Sequence, residues 1–167
     1  MIKNNISIYS NKLKSVKGSS FNKIIGDILK YHLDNNHIEY FKKEPKYSAP
    51  GYTKNQFNPD YEIQLLNGKK IVIDNTTSIR SDRVKQKQWD ALGVKSYFKK
   101  YGENINYYIV IPNSYSLGTE YTNKEEVNLY LTQRLYILEN EHYSEIDDII
   151  ELDELEFLIM STYLSLS

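Results

Sequence analysis

The sequence predicts a single α/β domain with a mixed central sheet flanked by helices, and three observations predict it. Apolar and polar residues alternate with period two through two adjoining segments, around 60–65 and 70–76, as they do on a half-buried hairpin. Apolar residues recur at helical spacing before that hairpin (Phe21, Ile24, Ile25, Ile28 and Leu29) and again after it. The run Tyr107-Tyr108-Ile109-Val110-Ile111 then follows the second helix, so a strand, a crossover helix and a parallel strand are expected, with a right-handed connection. At 167 residues the chain is long enough for one hydrophobic core and is expected to form one domain. The core is expected at about 17–111, with an acidic helical C-terminal part at about 112–167.

The elements follow in order. Residues 1–16 are polar with scattered aliphatics and predict an irregular arm. Ser19 or Ser20 can cap a first helix that ends by Asn35-Asn36. His37 to Phe41 predicts a short strand. Residues 42–57, with Pro45, Pro50 and Gly51, predict a basic, aromatic loop in which Lys42, Lys43, Lys46 and Lys54 alternate with Tyr47 and Tyr52. The hairpin comes next. Asp82 can then cap a helix over about 83–101, with Trp89, Leu92 and Phe98 in core positions and Gly102 at its end. The strand at 106–111 closes on Pro112. Leu129, Leu131, Leu135 and Leu138 predict a helix over about 122–139, and Asp153 can cap a last one carrying Leu155, Leu158, Ile159 and Tyr163.

The hairpin fixes which side chains share a face. Tyr61, Ile63, Leu65, Ile71 and Ile73 form the apolar set, while Asp60, Glu62, Gln64, Lys70, Asp74 and Thr76 form the polar one, with Val72 the exception. A register that superposes the apolar sets must pair residues whose numbers sum to an even value, because a one-residue slip mixes the faces. That excludes the two-residue loop suggested by Asn67-Gly68. A three-residue loop, Leu66-Asn67-Gly68 with glycine in the left-handed conformation, is expected instead. Asp60 is expected opposite Thr76 and Glu62 opposite Asp74, so that up to three carboxylates crowd one patch. The bland alternative is a solvated polar face, as many antiparallel sheets have.

Composition narrows the chemistry. The chain has no cysteine, which excludes disulfides and thiolate metal sites. His32, His37 and His142 match no metal-binding spacing and predict surface or satisfied core positions. No apolar run approaches the roughly eighteen residues of a membrane span, and the start lacks the apolar run of a secretion signal, so a cytoplasmic protein with no membrane partner is expected. The net charge of −1 conceals an asymmetry: residues 1–102 hold 19 Lys and Arg against 9 Asp and Glu, whereas residues 103–167 hold 2 against 13. Either the basic part contacts nucleic acid or the two parts neutralise each other.

Crowded carboxylates repel unless a cation sits between them, and hard oxygen ligands favour Mg²⁺. Asp60 and Asp74 are therefore the candidate metal ligands for phosphodiester hydrolysis, in which a metal activates water and screens transition-state charge. Thr76, two positions beyond Asp74 on the same face, is a third candidate catalytic residue able to hydrogen-bond a metal-bound water. It brings no positive charge, which Arg80, Arg83, Lys85 or Lys87 can supply by folding back. Ser78, Arg80, Arg83, Lys85, Lys87 and Gln88 form a candidate DNA-binding segment, since their side chains suit phosphates and base edges.

Pro59-Asp60, a strand and then Asp74-Asn75-Thr76 resemble the PD-(D/E)xK nucleases, the group of type II restriction endonucleases and archaeal Holliday-junction resolvases. The resemblance covers roughly residues 17–111. Lys17-Gly18-Ser19-Ser20-Phe21-Asn22 is similar to the resolvase segment that carries an active-site glutamate, a position held here by Asn22, and Thr76 stands where the motif has lysine. What the resemblance implies is a restriction-endonuclease-like fold and Mg²⁺-dependent cleavage of double-stranded DNA, usually by a homodimer. Two other functions stay open: a DNA- or partner-binding module on the same fold without catalysis, and an acidic immunity-type interaction protein acting through residues 139–156.

Overall fold

The computed structural model of the protein describes residues 18–48, 51, 57–76, 81–112, 138–139 and 143–167. Helix α1 (Gly18–Asp34) leads into strands β1 (Ile38–Lys43), β2 (Tyr61–Leu65) and β3 (Lys70–Asn75); helix α2 (Ser81–Lys100) crosses to β4 (Asn106–Ile111), and β5 (Asp148–Glu151) precedes helix α3 (Leu152–Leu166). The five strands lie in the order β1-β2-β3-β4-β5. The first three pair antiparallel, while β3–β4 and β4–β5 are parallel. The sheet is therefore mixed, as expected.

Helices cover both faces. Tyr61, Ile63, Leu65, Ile71 and Ile73 pack with Val110 and Ile150 against Phe21, Ile25, Ile28 and Leu29 of α1 and Leu155 and Ile159 of α3. On the other face Val72, Tyr107, Ile109, Ile111 and Ile149 pack against Val84, Ala91, Val94 and Phe98 of α2, with Tyr47 and Phe57 closing the side. Val72, the exception to the alternation, is thus a core residue of the second face. That second face is not solvated. Helix α2 covers it, and Glu62, Asp74 and Thr76 are buried.

The β2–β3 turn is the three-residue loop: the Gly68 amide donates to the Leu65 carbonyl (2.9 Å), the Leu65 amide to the Lys69 carbonyl (2.9 Å), and Gly68 has φ +81°. It closes Leu65 on Lys69, and Tyr61 pairs with Ile73 and Glu62 with Val72. The expected pairings of Asp60 with Thr76 and Glu62 with Asp74 are therefore corrected by two residues. One step beyond Tyr61 and Ile73, Asp60 stands against Asp74.

Other boundaries differ in places. Helix α2 begins at Ser81, so Asp82 lies within it, and it ends as expected at Gly102 (φ +73°), where the Gly102 amide reaches the Lys99 carbonyl and the Glu103 amide the Phe98 carbonyl, a Schellman closure. Trp89 and Leu92, expected in the core, are 60% and 43% exposed. The buried stripe of α2 runs through Val84, Ala91, Val94 and Phe98 instead. Strand β5 had no counterpart in the expected order. Glu151, not Asp153, is the N-cap of α3, and the Glu154 carboxylate accepts from the Glu151 amide at 2.6 Å. The helix expected over 122–139 lies outside the described residues apart from Leu138 and Glu139, which are helical.

Candidate active site

Asp60 precedes β2 and Asp74 is the fifth residue of β3. Period-two geometry aims both at α2. The Asp60 backbone amide bonds the Ile73 carbonyl (3.1 Å), and its side-chain Oδ2 accepts the Asn75 amide at 2.7 Å. These bonds clamp the residue across the hairpin. Asp74 is 3% exposed, and its Oδ2 accepts from both the buried Tyr107 hydroxyl on β4 and the Lys87 ammonium of α2, the latter at 2.9 Å. The two carboxyl groups are close enough to interact electrostatically.

Electrostatics follow from this crowding. Burial above all, with a contribution from Asp74, raises the Asp60 carboxyl to about 6 against the opposing pull of the Asn75 amide and Lys87. Asp90, one turn after Lys87, is also raised, by burial and then by Asp74, against the pull of Lys87. Burial and Asp74 hold the Tyr107 phenol well above its ordinary value. It is a neutral donor at any physiological pH.

Among the described residues the donors to both carboxylates reach Oδ2: the Asn75 amide on Asp60, and the Tyr107 hydroxyl and Lys87 ammonium on Asp74. Among the described residues no set of three or more His, Cys, Asp or Glu side chains is arranged to hold a metal ion. Mg²⁺ does fit the two-carboxylate donor set, because it is commonly held by one or two carboxylates, with waters and substrate phosphate completing its coordination.

The remaining candidates separate. Lys87, one of the four basic residues expected to fold back, reaches Asp74. Arg83 and Lys85 are exposed on the first turns of α2. Gln88 is half-buried, and its Oε1 accepts from the Glu145 amide at 3.1 Å, tying α2 to the segment before β5. Ser78 and Arg80 lie outside the described residues. Thr76 is buried, and its amide donates to the Val110 carbonyl at 2.9 Å, which keeps the end of β3 beside β4. Glu62 does not join the patch as expected. It turns to Tyr40, Tyr47 and Lys42. Asn22 lies beside β3 on the opposite face, where its Oδ1 accepts from the Asn75 side-chain amide at 2.9 Å. Tyr107 and Asp90 were missed by the sequence reading. The parallel pairing of Val72 with Tyr107 was the signal that could have found the tyrosine, since it puts that side chain on the face of Asp74.

Comparison of the chain with family models, with curated proteins and with solved structures gives no significant match. No described helix is long and apolar enough to cross a membrane.

Proposed function

We propose that the protein is a Mg²⁺-dependent DNA endonuclease of the PD-(D/E)xK type, with Asp60 and Asp74 as metal ligands and Lys87 acting from α2 in the role that the motif gives to a lysine at position 76. The observation that carries this reading is the meeting of Asp60, Asp74 and Lys87 in one half-buried patch. Two further features support it. The order helix, three-strand antiparallel meander, crossover helix and parallel strand is the one that the motif resemblance implies. Asp60 immediately before β2 and Asp74 on β3 also fit the positions that the resemblance implies for the two acidic motif residues.

Bound Mg²⁺ would supply Lewis-acid activation of water and charge screening. The chain's own groups do the rest. Asn75 and Tyr107 hold the two carboxylates that would bind the ion. Lys87, whose ammonium lies 2.9 Å from Asp74 Oδ2, would offer its positive charge beside the reacting phosphate. Arg83 and Lys85 meet the backbone of double-stranded DNA. A homodimer, one copy per strand, is the assembly that fits restriction of duplex DNA.

Incubation of the purified protein with plasmid, phage and branched DNA, in Mg²⁺ or in chelator, tests the proposal. Discrete Mg²⁺-dependent fragments, lost in both Asp60→Ala and Asp74→Ala, are expected. Cleavage unchanged in both variants rejects it. A second reading, a binding module without catalysis, is favoured by Asn22, whose side chain is spent on Asn75. Salt-sensitive DNA binding with no cleavage of any substrate would select that reading.

A further inference from the structure

A second concavity, about 330 Å³ in volume, opens on the same face of the sheet between β1, the start of β3 and the C-terminal turn of α2. This volume lies in the range of small-molecule sites. Its floor is Glu62, 3% exposed. The Glu62 Oε1 accepts from the Tyr40 hydroxyl at 2.7 Å and lies 3.5 Å from the Lys42 ammonium, while Oε2 accepts from the Tyr47 hydroxyl. A carboxylate offers about four acceptor positions. Three are engaged among the described residues, and the fourth is on Oε2.

One wall is aromatic. The Tyr97 ring lies 5.0 Å from that of Tyr47 and 5.2 Å from that of Tyr101, and Tyr101 is 61% exposed. The rim is cationic: three lysines line the cavity against two glutamates. Lys70 is bound to Glu103 and Lys42 shares Glu62, whereas Lys46 has no ion pair among the described residues. A buried acceptor, an exposed tyrosine ring and an ammonium with no ion pair among the described residues match the three parts of one ligand class, a base with N–H groups, its planar ring and a phosphate.

We infer that this cavity is a nucleotide-binding site, with the base stacked on Tyr101 and donating to Glu62, and the phosphate held by Lys46. The inference stands apart from the nuclease reading, because Asp60 and Asp74 do not line the cavity. Titration of the full chain with dCMP, dGMP and inorganic phosphate, followed by intrinsic fluorescence and by calorimetry in chelator, tests it. Saturable binding of a nucleotide is expected, weakened about tenfold or more in Tyr101→Ala, as the loss of one stacked base implies, and weakened likewise in Lys46→Ala. Asp74→Asn should bind as the parent does, even if it is inert on DNA. Both test residues are exposed, so the fold should survive, which circular dichroism would verify. Absence of saturable nucleotide binding at millimolar concentration overturns the inference. So does inorganic phosphate binding as tightly as the nucleotides, or an affinity that neither variant changes.

Discussion

Asp74 Oδ2 takes two donors, and the two should behave differently on removal. Lys87→Ala is expected to lower cleavage at least a hundredfold while tightening Mn²⁺ or Mg²⁺ binding, since no ammonium then competes for the carboxylate; calorimetric titration measures the second effect. If Lys87 does the work of the motif lysine, Thr76→Lys in that background should restore part of the rate, and a double variant as inert as the single one would count against the assignment. Tyr107→Phe keeps the ring packed and removes one hydrogen bond to a charged acceptor, costing about 1.5–3 kcal/mol of stability by chemical denaturation. The pH dependence has a definite sign. Asp60 is raised to about 6 in the fold from 3.8, so the proton it retains favours the fold fully below about 3.8, and that contribution is lost as pH rises through about 6. Mg²⁺ should therefore raise the melting temperature more at pH 7.5 than at pH 5, and metal affinity should climb through that interval. The two aspartates were legible because a strand's period is two. Lys87 was legible only as one of four basic residues, because choosing among them requires the phase of a helix that begins after a turn.

Among the elements, α2 shows where pattern reading fails. Trp89 and Leu92 are exposed, while the buried stripe runs through Val84, Ala91, Val94 and Phe98, with Phe57 close against the helix backbone at Gly93. A Cβ added at Gly93 would stand 2.2 Å from the Phe57 ring. Gly93→Ala should consequently destabilise by about 1–3 kcal/mol through overpacking, whereas Trp89→Ala should cost about 1 kcal/mol or less; denaturant midpoints separate the two. Strand β5 escaped notice for a related reason. Asp148-Ile149-Ile150-Glu151 has only two apolar residues, and nothing local marks it as a strand. Its partner β4, about forty residues away in the chain, makes it one. The hairpin was the opposite case: one glycine and one alternation determined both its loop and its faces, and only the facing pairs were displaced by two.

At the scale of the whole molecule, the charge asymmetry is partly internal. Lys95 of α2 lies 2.9 Å from Asp147 and 3.9 Å from Glu145, joining the basic and acidic parts. A second junction ties α1 to α3: buried His32 lies with Nδ1 3.0 Å from His37 Nδ1 and Nε2 3.5 Å from Glu156, an ion-pair distance without hydrogen-bond alignment. His37 also packs on Tyr163. Burial and then His32 hold the His37 imidazole below 6.5, so the unfolded chain binds the extra proton more readily. Stability from this residue is complete above pH 6.5 and declines as the solution is acidified, a trend that His37→Gln should flatten in melts between pH 7.5 and 5. The basic turn of α2 remains exposed at Arg83 and Lys85, and if it meets DNA as proposed, the affinity should fall steeply with added salt.

The ammonium of Lys87 against Asp74 has one more consequence. A resident counter-ion lets the polypeptide reach its native state where divalent ions are scarce, so that on the proposed nuclease reading maturation and activation become separate events. Chelator should then silence the protein without unfolding it, and later addition of the ion should restore function with no refolding phase.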